Sequence, residues 1–127
     1  MRTFRLNKLV RDSIVPYMQD LGQKVVFHKL NDDEYLAELA NKLVEEAREF
    51  DPKEPKATKE LADVLEVVDA LAAELGVSFE ELRKLQLQIR KERGGFSDRL
   101  YVEKVGVPDG DKWGDYYAAE PVRFPEE

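Results

Sequence analysis

Residues 42–71 read KLVEEAREFDPKEPKATKELADVLEVVDAL, and their reading decides the fold. Apolar residues recur at helical spacing before and after a short DPKEPK break, where Pro52 and Pro55 cannot continue a helix. Two helices joined by a tight connection follow. Within them Glu46 and Glu49, and then Glu60 and Asp63, sit at matched i, i+3 spacings close to the apolar residues. That placement is what needs an explanation.

Working outward, Asn31 or Asp32 can cap the first of these helices. Its apolar stripe is Leu36, Leu39, Leu43, Ala47 and Phe50, widened by Ala40 and Val44. Thr58 can cap the second, which is expected from about residue 59 to Leu75 and ends at Gly76. Ser78 followed by Glu81 is a capping box that opens a third long helix, SFEELRKLQLQIRKER, closed by Gly94-Gly95. Near the start, Pro16 suits the first residue of a short helix that stops at Gly22. KVVFHKL (24–30) and RLYVEKV (99–105) carry strand-like patterns. The turn-rich tail, VPDGDKWGDYYAAEPVRFPEE, shows no clear element. The expectation is a mainly all-α single domain over 1–127: a bundle of three long helices plus a short one, small flanking β segments, and a tail from about residue 106. A second subunit would complete such a bundle.

The 127 residues suffice for one domain with its own core. Cysteine is absent, which excludes a disulfide framework, a thiolate nucleophile and a cysteine zinc site. The net charge of −7 argues against a general nucleic-acid binder. An acidic chain can still take phosphate esters if its carboxylates first hold a metal ion, because the ion inverts the local sign. No apolar run is long enough to span a bilayer, and MRTFRLNKLVRD is too charged for a secretory signal. A cytoplasmic location without membrane partners is the default expectation.

At about 100° per residue, Glu46 falls at the edge of the first apolar stripe, with Glu49 beside it and Lys42 one turn earlier on the same side. Both acids should be half-buried, and Glu45 should point away from the core. The helix from 59 to 75 is apolar around nearly its whole circumference, the pattern of an interior helix. Glu60 and Asp63 flank Val67 on one side of it, and Glu66 and Asp69 lie on another. Ionised carboxylates on an interior helix need a cation, a proton or a metal. Carboxylates on two adjacent antiparallel helices suit Mg²⁺, a hard ion that keeps waters and bridges to substrate phosphates. The plain alternative is that these acids only solubilise the helices and form salt bridges.

EEAREF followed by ELADVLEV resembles the EExxE…ExxD signature of the all-α nucleoside triphosphate pyrophosphohydrolases, the MazG-like superfamily. NKLVRD, LVEEAREF, ELADVLEVVDAL and KERGGFSDR, in that order, resemble its phosphoribosyl-ATP pyrophosphohydrolase-like subgroup and cover most of residues 7–103. The resemblance implies a helical bundle that oligomerises as a dimer or tetramer. It also implies a nucleotide substrate and Mg²⁺, with Mn²⁺ as a substitute. Cleavage would fall between the α and β phosphates, giving a monophosphate and pyrophosphate. Carried over by position, the metal ligands would be Glu46, Glu49, Glu60 and Asp63, and Glu45 or Glu49 would activate water. The spacer between the two halves of the signature is shorter than the family's usual one. Glu66 and Asp69 would restore its length, but ELADVLEV aligns through Glu60 and Asp63.

Developing charge on the pyrophosphate calls for cations, and Lys8, Arg11, Lys42, Lys91 and Arg93 are the candidates. His28, the only histidine, reads as structural. Trp113, Tyr116 and Tyr117 read as packing residues. Three functions fit. One is housecleaning hydrolysis of non-standard nucleotides, another is hydrolysis of phosphoribosyl-ATP in histidine biosynthesis, and the third is a non-catalytic helical interaction module.

Overall fold

The computed structural model describes residues 1–127 and is all-helical. Its elements are α1 (Ile14–Asp20), α2 (Asp32–Glu49), α3 (Ala57–Glu74), α4 (Phe79–Arg93) and α5 (Lys112–Ala118). No helix is long and apolar enough to cross a membrane. The chain divides into two compact units, 1–92 and 93–127.

Local chemistry sets most boundaries. Asn31 accepts the Glu34 N–H at 2.9 Å and starts α2, whose first turn places Asp32, Asp33 and Glu34 at the positive end of the helix dipole. Pro52 stops α2 from running on, and residues 50–56 turn the chain into α3. The cap of α3 is Lys56, which offers no side-chain bond, so Thr58 lies inside the helix rather than before it. At the far end Gly76 adopts φ +73. Its N–H bonds to the Ala73 carbonyl and that of Val77 to Ala72, the paired bonds of a Schellman turn. Gly22 closes α1 in the same way, with φ +77 and bonds from Gly22 to Gln19 and from Gln23 to Met18. Ser78 caps α4 by accepting the Glu81 N–H at 3.1 Å while its own hydroxyl donates to the Glu81 carboxylate.

Three expectations are corrected. Residues 24–30 and 99–105 form no strand; neither has a partner to complete a ladder, and an isolated strand leaves its backbone groups unpaired. The tail does contain an element, α5, started by Asp111 accepting the Trp113 N–H. Finally, α2 and α3 are the only helices whose backbones pack closely. A single chain therefore supplies a two-helix hairpin and not a three-helix bundle.

The core of that hairpin is small. Leu39 on α2 (3% exposed) and Val67 on α3 (7%) are buried where the helices meet, and Ala72 is the only other buried apolar residue. In the second unit Trp113, Tyr116, Tyr117 and Phe124 pack together, with Tyr117 and Phe124 ring centroids 5.0 Å apart. The aromatic residues of the tail are thus packing residues, and Phe124 joins them. His28 is exposed in a non-helical stretch and has no core role.

The cap of α2 gives a direct test. Asn31→Ala is expected to lower stability by about 1 kcal/mol, and Asn31→Gly by only a few tenths. Urea unfolding followed by helical circular dichroism measures both. Equal losses would mean that the Asn31 side chain does not hold the helix start.

Candidate functional site: an acidic face clamped by lysines and arginine

The hairpin brings the two acidic segments side by side. Glu46 faces inward on α2 and is half-buried; on α3 Glu60 is buried at 9% exposure and Asp63 is half-buried. Glu60 is the one buried charged residue of the chain. Its carboxylate accepts the Asp51 N–H at 3.2 Å and lies 3.9 Å from the Lys56 ammonium. Glu60 therefore latches the connection between the helices onto the first turn of α3. Asp51 in turn accepts the Lys53 N–H at 3.0 Å, which tightens the same turn.

Glu45 and Glu49 exchange the environments expected of them. Glu49 is exposed, makes no ion pair, and lines a cleft of about 450 Å³ with Asp51, Glu54, Lys56 and Glu60. Glu45 is half-buried because the N-terminal segment covers it. Asn7 adopts φ +46, a left-handed conformation that asparagine tolerates, and the chain bends at Lys8. Lys8 then reaches Glu45 at 3.3 Å, and Arg11 reaches Asp63 at 2.8 Å. The NKLVRD segment thus straps across both helices on one side of the hairpin.

Every half-buried acid on this face is matched by a cation. Lys42 lies 3.3 Å from Glu45 and 3.6 Å from Glu46, and Lys59 lies 3.0 Å from Asp63. For Glu45, partial burial pushes the pKa up, but the Lys8 and Lys42 ammonium groups outweigh it and leave it below the ordinary carboxylate value. For Asp63, the Lys59 hydrogen bond leads in lowering the pKa, helped by Arg11 and opposed by burial. Sequence reading missed Lys56 and Lys59, although each sits one turn before the acid it pairs with, the i, i+4 signal of a helix.

Of the proposed cations, Lys8, Arg11 and Lys42 reach the acidic face. Lys91 and Arg93 are exposed and make no ion pair. Glu66 and Asp69 are both exposed, so the more enclosed pair on α3 is Glu60 and Asp63. Hard carboxylate oxygens are the donors that Mg²⁺ prefers, and Glu60 is held by one N–H and one distant ammonium, which leaves acceptor capacity free. The donor chemistry therefore fits. No three of these acids stand close enough together to hold one ion; Glu46, Glu60 and Asp63 each face a lysine or arginine, and Glu49 stands alone. Comparison with protein-family models, curated proteins and solved structures found no match to this chain.

The lowered pKa values set a pH dependence. A carboxylate whose folded pKa is depressed adds stability above its unfolded pKa and loses it as pH falls through the folded value. Replacing Lys8 and Arg11 together by Met should destabilise the protein at pH 7 by up to about 1 kcal/mol, given how exposed the two pairs are. The gap should close once pH falls well below the ordinary values of 4.5 for Glu45 and 3.8 for Asp63. Urea midpoints of the two proteins across that range measure it. A gap independent of pH would show that the strap acts through packing and not through charge.

Proposed function

We propose that this protein is a Mg²⁺-dependent nucleoside triphosphate pyrophosphohydrolase. Its reaction opens the anhydride between the α and β phosphates and releases a nucleoside monophosphate and pyrophosphate. The observation that carries this reading is the strap. Three segments that resemble the pyrophosphohydrolase pattern, separated by 37 and 52 positions along the chain, meet through Lys8–Glu45 and Arg11–Asp63. Acids for a metal and cations for phosphate are thereby delivered to the same face.

In this reading Glu46, Glu60 and Asp63 would hold the ion once they turn from their lysine and arginine partners, with Glu49 at the mouth of the cleft. When bound, Mg²⁺ would offset the triphosphate charge and lower the pKa of a coordinated water. Glu49 is the better placed of the two candidate bases, because it is exposed at the cleft and free of ion pairs. Glu45 is engaged by two ammonium groups, which weaken it as a proton acceptor. The water oxygen forms the new bond to the α phosphorus, its proton passes to Glu49, and the bond from that phosphorus to the bridging oxygen breaks. Lys8 and Arg11 would leave Glu45 and Asp63 to meet the departing pyrophosphate; Arg11 can grip it through two parallel N–H donors. Lys42 stays beside Glu46 and steadies the carboxylate side chains.

The test is a panel of standard and modified nucleoside triphosphates, with phosphoribosyl-ATP included, assayed with Mg²⁺ for pyrophosphate against orthophosphate. Pyrophosphate release is expected. Asp63→Asn and Glu46→Gln should each reduce turnover on the order of 100-fold or more with the helical spectrum unchanged, since even loss of a group supporting a metal ligand reaches that scale. Orthophosphate release would overturn the cleavage position. If there is no turnover with any substrate and no Mg²⁺ uptake by calorimetry, the acids serve only as salt-bridge partners in a helical interaction module.

A further inference from the structure

The strap across the acidic face is held mainly by charge. Residues 1–8 are exposed, and within the strap only Leu9 and Val10 are half-buried. No backbone hydrogen bond joins residues 1–13 to α2 or α3. The side-chain bonds from Lys8 to Glu45 at 3.3 Å and from Arg11 to Asp63 at 2.8 Å are the only hydrogen bonds that tie it to the hairpin. The side chains of Lys8 and Arg11 are 45% and 55% exposed, so each pair holds only as strongly as an exposed ion pair does. The strap is bounded by the left-handed bend at Asn7 and by the turn in which the Ile14 N–H bonds to the Arg11 carbonyl at 3.0 Å.

Both anchors are coupled to carboxylates assigned to Mg²⁺. Asp63 has neither oxygen free: Oδ1 accepts from Arg11 and Oδ2 from Lys59. To ligate a divalent cation it must give up at least one of them, and the double positive charge repels both. Lys59 stands one turn away on α3 and is 74% exposed, so it swings into water without moving the backbone. The departure of Arg11 instead removes one of the two bonds that hold the strap. The second anchor is reached through Lys42. Its ammonium lies between Glu45 at 3.3 Å and Glu46 at 3.6 Å, and its side chain is only 17% exposed. Once Glu46 turns to a divalent cation, Lys42 is left to Glu45 alone, where it competes with Lys8. Cation uptake therefore weakens the strap at both anchors.

We propose that residues 8–11 are an autoinhibitory latch that a divalent cation releases, so that a closed strap and a bound ion are antagonistic on the same face. This inference rests on the reading of Glu46, Glu60 and Asp63 as Mg²⁺ ligands. With the strap closed, Lys8 and Arg11 are spent on carboxylates, which keeps the acids from repelling one another and leaves neither cation for a phosphate. Uptake of the ion frees both for a polyphosphate. Antagonism of this kind is reciprocal: the factor by which the strap weakens ion binding is the factor by which the ion favours the open strap. Two exposed ion pairs set that factor on the order of tenfold.

The chain has no cysteine, so a single thiol reports on the strap. In the full chain, Val10→Cys should react with a maleimide about threefold or more faster when Mg²⁺ is added, and by less when the same ionic strength is supplied as NaCl. By calorimetry, Lys8→Met combined with Arg11→Met should bind Mg²⁺ on the order of tenfold more tightly than the unaltered chain. Lys24→Met combined with Lys29→Met removes the same charge from two exposed cations that make no ion pair, and should not tighten binding so. Because the strap variant can lose structure, the thiol rate in the chain that keeps both strap cations decides. Mg²⁺ uptake with an unchanged Val10→Cys rate, or equal tightening in the two double variants, overturns the latch and leaves the pyrophosphohydrolase reading standing. No Mg²⁺ uptake by either the unaltered chain or the strap variant overturns both.

Discussion

The structure depends on how α2 and α3 are tied. Residues 50–56 turn the chain back along the first helix, and the buried Glu60 carboxylate holds that turn by accepting the Asp51 N–H. With the turn fixed, Leu39 and Val67 are both buried, and every other side chain of the two helices is assigned a side. A buried carboxylate is an expensive way to hold a turn, since taking the charge out of water costs several kcal/mol unless it is compensated. Lys56 compensates it only from 3.9 Å. An apolar residue there would bury more comfortably but could not accept the N–H. The position thus combines a structural bond with residual negative charge facing a cleft.

The same logic explains why the acidic face is so heavily countered. Half-buried Glu45, Glu46 and Asp63 on adjoining helices would repel one another in the absence of a cation. Lys42 and Lys59 supply positive charge from within one turn, and Lys8 and Arg11 supply it from the strap. Lysine side chains on flexible stems make exchangeable counter-ions, because each can swing to solvent at small energetic loss. A face so arranged is neutralised without being permanently occupied, which suits the proposed exchange of these cations for a divalent ion.

Much of this was legible in the sequence. The hairpin could be read because Pro52 and Pro55 punctuate two runs of helical period, and the ends of α1 and α3 because Gly22 and Gly76 sit where a left-handed residue closes a helix. The inward placement of Glu46, Glu60 and Asp63 followed from the wheel. The exchange between Glu45 and Glu49 did not. Glu45 is shielded by Lys8, 37 positions away in the chain, and no periodicity encodes that meeting. The strand expectations failed for a related reason: β-branched residues mark a stretch that can be extended, while a strand also needs a neighbour, which is a property of the whole chain. α5 was hidden because seven residues containing a glycine and three aromatics have weak helical preference, and their order comes from packing Trp113, Tyr116 and Tyr117 against Phe124.

The pattern of α3, apolar around most of its circumference, is satisfied only in part within the chain. Read as one helix in one chain, it demands burial on all sides, yet within the chain only its α2-facing side and Ala72 are buried. That demand is met in part: Leu61, Leu65 and Leu75 remain more than half exposed. Charges that line one side of a hairpin and leucines that line the other are mutually enabling. Leucines on the strap side would exclude the water and cations that ionised carboxylates need. Segregating the two kinds of side chain onto opposite sides of the same pair of helices keeps the ionised groups beside their cations and away from the leucines. The alternation of Glu66 with Leu65, adjacent in sequence and about 100° apart on the helix, is where that division is drawn.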